Sequence, residues 1–197
     1  MKKTKAMNIW VLGAHDCESE NTRLISLLID DVLAIDAGAL TSTLSFEAQQ
    51  KIKAILLTHQ HYDHVRDIPT IAINLFLRGA TINVYSTPEV YDAITTHLMD
   101  DALYPNFHQR PPHNPTVRLT KIKPGKAEQI EGYSVLAVPV NHSVPTVGYQ
   151  IASPDGKAVF YTGDTGPGLA NCWQHVSPQL IITEVTAPDK YKEEAAN

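Results

Sequence analysis

The order of apolar segments predicts an α+β domain. Three features point that way: short β-branched apolar runs between turn residues ahead of position 60, an amphipathic helical stretch at 67–77, and a second strand-rich half from position 117. With 197 residues the chain is long enough for one domain with a sizeable core and too short for two ordinary ones, so a single domain over 1–197 is expected.

Asn8 to Gly13 reads as a first strand, followed by a polar loop from Ala14 to Asn21. Arg23 to Ile29 and Val32 to Ile35 read as a strand pair turning at Asp30-Asp31 and leading to Asp36-Ala37-Gly38. Leu40 to Ile52 has helical character behind a Ser/Thr-rich start, and Lys53 to Leu57 is a buried strand. Asp67 to Leu77 places Ile68, Ile71, Ala72, Leu75 and Phe76 at spacings of three and four, with Pro69 in the first turn and Gly79 ending the helix. Ile82 to Tyr85 is a short strand and Pro88 to Met99 a helix whose apolar face excludes His97, leaving that side chain solvated.

Four prolines between Asp100 and Pro115 mark an irregular loop. Strands follow at Val117 to Ile122, Ala127 to Ile130 and Tyr133 to Val140. Thr146 to Ala152 and Lys157 to Tyr161 form a hairpin around Pro154-Asp155-Gly156. Leu169 to His175 is a short helical segment, with His175 structural or exposed. Gln179 to Val185 is the last strand, and Ala187 to Asn197 a charged tail.

Chemistry concentrates in Thr58-His59-Gln60-His61-Tyr62-Asp63-His64, at the end of the strand at 53–57. An extended backbone sends residues i and i+2 to one side, so His59 and His61 can aim nitrogens at one point. Neutral imidazole is the commonest protein ligand for zinc-like ions, and carboxylate also serves. If a helix begins at about Asp63, Asp63 and His64 turn towards a neighbouring point, and one short loop can serve two metals. His142, at the end of another strand, offers the third nitrogen that His59 and His61 need.

This stretch resembles the signature of the metallo-β-lactamase superfamily, metal-dependent hydrolases with a four-layer αββα sandwich fold and a site at the sandwich's edge. The resemblance implies one ion held by His59, His61 and His142 and a second by Asp63, His64 and Asp164. Asp164, in Tyr161-Thr162-Gly163-Asp164, matches the carboxylate that bridges the two metals. Asp36, in Leu33-Ala34-Ile35-Asp36-Ala37-Gly38, matches the Asp that holds the histidine loop from behind. Zinc is the expected ion, as one or two Zn2+, with Mn2+ or Fe2+ as alternatives. The resemblance implies that such ions would supply an ionised water to attack the substrate, with Asp63, a substrate-side water or His15 as open possibilities for the acid that protonates the leaving group.

The family pattern usually carries another His after the final strand, and this chain reaches Asn197 without one. The expectations are a shortened gene product whose fold lacks its C-terminal portion, a weak second metal site, or a ligand supplied by a partner. The chain as a whole, including Asp16, the stretch at 35–40 and the stretch at 141–149, resembles the branch containing class II 3′,5′-cyclic nucleotide phosphodiesterases. That implies hydrolysis of a small (cyclic) nucleotide, with thioester or lactone hydrolysis, or an inactive metal-binding module, as alternatives. In such a hydrolase the loop at 100–115 could overhang the site, which makes His108, Arg110 and His113 substrate-contact candidates.

The composition, 43% hydrophobic and 19% charged, is that of a soluble globular protein. A net charge of −5 disfavours a large nucleic-acid footprint, which needs clustered Lys and Arg, and favours a small-molecule substrate. Cys17 and Cys172 lie far apart in no zinc or redox spacing, consistent with a reducing compartment. The basic start precedes an apolar run too short for a signal peptide, and no segment approaches the ~18 apolar residues of a membrane span. A cytoplasmic protein is expected, with no membrane partner and with homo-oligomerisation left open.

Overall fold

The computed structural model describes residues 6–185. They fall into two compact units, residues 6–122 and 123–185.

The first unit carries a six-stranded sheet in the order β1 (Ile9–Gly13), β2 (Ser26–Ile29), β3 (Leu33–Ile35), β4 (Ala54–Leu56), β5 (Ile82–Ser86) and β6 (Val117–Lys121). The β1–β2 and β2–β3 pairs are antiparallel, whereas β3 to β6 run parallel. Parallel strands are covered on both faces, which is why β3 and β4 are apolar throughout and fully buried. The β2–β3 connection holds Asp30 and Asp31 at φ of 48° and 64°, and Val32 N–H donates to the Ile29 carbonyl at 3.0 Å. That is a type I′ turn, whose left-handed positions short polar side chains tolerate.

Around this sheet lie α1 (Leu40–Thr43), α2 (Phe46–Gln49), α3 (Tyr62–Val65), α4 (Asp67–Phe76) and α5 (Pro88–Ala93), which continues as a π turn at Ile94–Leu98. Ile68, Ile71, Ala72 and Leu75 of α4 enter a core with Leu40, Ile55, Leu57 and Val84. Each buried aliphatic side chain is worth about 1.5–3 kcal/mol. The single helical segment expected at 40–52 is instead two four-residue helices. Leu44 is extended, and Ser45 caps the second helix by accepting the Ala48 N–H at 3.3 Å. Thr41, Ser42, Thr43 and Ser45 compete for local backbone bonds, which favours ends over interiors.

The strand directions gather the loops that matter. With β1 and β3 antiparallel to β2, and β4 and β5 parallel to β3, the carboxyl ends of β1, β3, β4 and β5 share one sheet edge. Loops 14–21, 36–39 and 57–61 all leave from that edge.

The second unit is a five-stranded sheet in the order β11 (Leu180–Ile182), β10 (Ala158–Tyr161), β9 (Thr146–Ala152), β8 (Tyr133–Val140) and β7 (Ala127–Ile130). It is antiparallel except at β10–β11. Val138, Phe160 and Cys172 form a small core there. The helical segment expected at 169–175 contracts to a 3-10 turn at Leu169–Cys172, and the last strand contracts from 179–185 to 180–182. The charged tail expected at 187–197 lies outside the described residues. Among the described residues no helix is long and apolar enough to cross a membrane.

Candidate metal centre

Asp36 organises the candidate ligands of the first unit. Its side chain is completely buried at the end of β3, and its backbone sits at φ 58°. Asp is among the residues that tolerate this left-handed region, but the conformation still costs about 1 kcal/mol or more and needs surroundings that enforce it. Those surroundings are dense. Asp36 N–H donates to the Leu56 carbonyl at 2.8 Å, Ala37 N–H to the His64 carbonyl at 2.7 Å, and Gly38 N–H to the Ile25 carbonyl at 2.9 Å. The Ser26 hydroxyl accepts the Gly38 and Ala39 N–H groups at 3.0 Å each and lies 3.2 Å from the Asp36 carbonyl. A Cβ on Gly38 would fall 1.9 Å from the Asp63 carbonyl oxygen, so the two loops approach as closely as backbones can.

From that anchor the Asp36 carboxylate reaches into the histidine loop. It accepts the Thr58 N–H at 2.8 Å and the Thr58 hydroxyl at 2.9 Å, and His64 Nδ1 lies 2.8 Å away. A carboxylate at Nδ1 fixes the tautomer with the proton there and leaves the Nε2 lone pair as the one a metal could take. Because the Thr58 hydroxyl gives its proton to Asp36, it accepts from His59 Nδ1 at 3.0 Å, which likewise leaves His59 Nε2 as an acceptor. One buried carboxylate thus sets the orientation of two imidazoles, one directly and one through a hydroxyl.

The nitrogens so oriented converge. His59 Nε2 and His61 Nδ1 are 3.0 Å apart, their rings nearly perpendicular with centroids at 4.6 Å. Two nitrogens each ~2.0–2.1 Å from one tetrahedral ion would lie roughly 3.3 Å apart, so the donor set fits a zinc-like ion. Helix α3 begins at Tyr62, and it carries Asp63 and His64 with Asp63 Oδ2 at 3.4 Å from His64 Nε2. His59 and His64 are fully buried, and the Asp63 side chain is 21% exposed.

In the second unit the remaining two candidates come together. His142 follows β8 and Asp164 follows β10, with His142 Nε2 and Asp164 Oδ2 at 3.8 Å. Buried Thr162 precedes Asp164, its hydroxyl bonded to the Gly163 carbonyl at 2.8 Å and the Thr183 hydroxyl at 3.2 Å, and Glu184 accepts the Thr165 N–H at 2.6 Å.

The loop candidates differ among themselves. Arg110 is tied to Asp101 at 3.0 Å, and His113 is exposed. His108 is half-buried with no hydrogen-bond partner for Nδ1, and burial holds its pKa below the usual histidine value despite the opposing charge of Asp101. Sequence reasoning missed Ser26, Thr58 and Gly38. Thr58 was next to the motif, but its partner Asp36 is 22 positions away, and no local pattern marks such a pairing.

A family model described as Beta-lactamase superfamily domain matches residues 27–194, and the chain belongs to that superfamily. Its fold is the metallo-β-lactamase fold expected from the sequence. The metallo-beta-lactamase fold protein YhfI of Bacillus subtilis matches with a TM-score of 0.75 at 18% identity, over 96% of this chain and 76% of that one. Unliganded yeast PDE1 matches with a TM-score of 0.81 at 14% identity, over 95% and 77%. Among curated relatives, a ribonuclease Z of Methanococcus maripaludis is 28% identical over 183 residues, covering 84% of this chain and 58% of the relative. The chain spans only part of the length of the curated relatives it matches.

Proposed function

We propose that the whole chain acts as one cytoplasmic domain, a metal-dependent phosphodiester hydrolase, with His59, His61 and His142 holding one divalent ion and Asp63, His64 and Asp164 a second. Each of the six offers one ring nitrogen or carboxylate oxygen. The observation that carries the reading is the convergence of His59 Nε2 and His61 Nδ1 at 3.0 Å on a loop held by the buried Asp36 carboxylate. Zinc suits the imidazole-rich first set, with manganese or iron the alternatives. When bound, such ions supply Lewis acidity and a water that ionises near neutral pH.

The chain's own residues do the rest. Asp36 and Thr58 keep the His59 and His64 protons on Nδ1, so the Nε2 lone pairs stay available as the substrate arrives. The Asp63 carboxylate, partly exposed beside His64, is the group that would take up the proton released when a water ionises and pass it to a leaving oxygen. Asp36 is buried and positions the loop; it does not meet substrate.

A small (cyclic) nucleotide is the first substrate class. RNA is the second reading: the net charge of −5 disfavoured it, but relatives named ribonuclease Z do not support excluding it. Thioester or lactone hydrolysis, or a metal-binding module without turnover, are the remaining alternatives. The test is turnover of metal-loaded protein on bis-p-nitrophenyl phosphate, with cyclic nucleotides, a structured RNA, a thioester and a lactone in parallel. Hydrolysis of the diester above a metal-only control supports the proposal. Hydrolysis confined to the thioester or lactone, or no hydrolysis by metal-loaded protein, rejects it.

A further inference from the structure

Loop 14–21 is exposed throughout and leaves β1 at the same sheet edge as the Asp36 and His59 loops. It is nevertheless tied to the metal-loop helices. The Arg66 guanidinium, at the junction of α3 and α4, bonds the Glu18 carboxylate through Nη1 and the Asp67 carboxylate through Nε at 3.1 Å. The Arg66 side chain is only 16% exposed and that of Asp67 4%, so this is more than a passing surface pair.

The tie continues inward. Asp67 Oδ2 accepts the Thr41 N–H at 2.7 Å, and the Asp67 N–H donates to the Ala37 carbonyl at 2.7 Å. Ala37 N–H in turn donates to the His64 carbonyl at 2.7 Å. Glu18, Arg66, Asp67, Ala37 and His64 therefore form one chain of charged and backbone hydrogen bonds from the outer loop to a candidate metal ligand.

We propose that Arg66 is a positioning residue that clamps loop 14–21 at the histidine edge, so that the loop forms a fixed wall for substrate binding. Local bonds, such as Ser19 with Thr22, Arg23 with the Ser19 carbonyl and the His15 N–H with the Arg23 carbonyl at 3.1 Å, shape the loop, and the Glu18 tie joins it to the helices that follow the histidine loop. Releasing the tie frees the wall while leaving His59, His61 and Asp36 in place. It therefore weakens substrate binding more than it slows the chemical step.

The experiment compares full-length Arg66→Met, which keeps the apolar stem, Glu18→Gln, the double variant and Arg66→Lys. Amide hydrogen exchange over residues 14–21 is measured first. Each single variant should speed it about five- to tenfold, the size of effect fitting a partly buried Arg–carboxylate tie, and the double variant should add nothing further. Arg66→Lys should recover part of the protection. KM and kcat on bis-p-nitrophenyl phosphate follow, a step that rests on the phosphodiester reading; KM should rise about fivefold or more with kcat within about twofold. Unchanged exchange, or effects of the two single variants that multiply, overturns the clamp. Faster exchange with unchanged KM overturns its role in binding. Absence of diester turnover in the unaltered protein refutes the functional reading instead, while the exchange result still decides the clamp.

Discussion

Replacing Asp36 with Asn removes one charge from the most buried polar cluster of the site and little else. Asn accepts the left-handed backbone at φ 58° about as readily as Asp, so the substitution spares the strand end. The amide oxygen can still take the Thr58 N–H, but its NH2 must then face the Thr58 hydroxyl and His64 Nδ1, both of which now donate to the carboxylate. Hydrogen bonds to a charged group are worth about 1.5–3 kcal/mol each, and a buried donor left unmatched costs about 1–3 kcal/mol. Allowing for relaxation, Asp36→Asn should cost about 2–4 kcal/mol, a large share of the ~5–15 kcal/mol that holds a domain together.

The assay is urea denaturation of metal-stripped protein, with zinc competition against a chromophoric chelator on the refolded variant. The midpoint should fall with the slope unchanged, and zinc affinity should drop about 10–100-fold as His64 loses its fixed tautomer. An unchanged midpoint together with unchanged zinc affinity would refute the idea that the carboxylate organises the loop.

Gly38→Ala places a methyl group 1.9 Å from the Asp63 carbonyl oxygen and 2.7 Å from Leu24 Cβ, so the metal loop must move. A loss of about 3 kcal/mol or more is expected in thermal or denaturant unfolding, with weaker zinc binding alongside. His108 should make stability pH-dependent. Burial lowers its folded pKa below 6.5, so the unfolded chain takes up the proton first as pH falls. Its contribution is complete above about 6.5 and declines as pH drops from there towards the folded value. His108→Gln should therefore flatten the urea midpoint between about pH 5 and pH 7 relative to the unaltered protein; parallel curves would contradict this.

Much of the strand–loop–helix sequence around positions 54–79 was legible because each signal is local. An apolar run ends at Leu57 just ahead of His59, a helix opens beside Asp63, and Pro69 and the spacing of Ile68, Ile71, Ala72 and Leu75 mark α4. The Asp30-Asp31 turn and the hairpin at 146–161 were readable for the same reason. The failures are where local and tertiary preferences divide. The stretch at 40–52 has helical periodicity, yet its hydroxyl side chains split it into two short helices at Leu44. Of the supports behind the site, the role of Asp36 was legible through the family resemblance, but its partner Thr58 and the other pairs were not. Ser26 to Gly38, Asp36 to Thr58 and Glu18 to Arg66 join residues 12, 22 and 48 positions apart, and only the register of the six-stranded sheet brings them together.

The central claim is that histidines from separate strand ends bind metal as one set. Zinc content per chain, measured by elemental analysis after loading and exhaustive dialysis, tests it in the unaltered protein, His59→Ala, His142→Ala and the exposed control His97→Ala. The account predicts that His59→Ala and His142→Ala each lose at least one zinc equivalent while His97→Ala matches the unaltered protein. Full zinc retention by His142→Ala, or equal loss in all three variants, would contradict it.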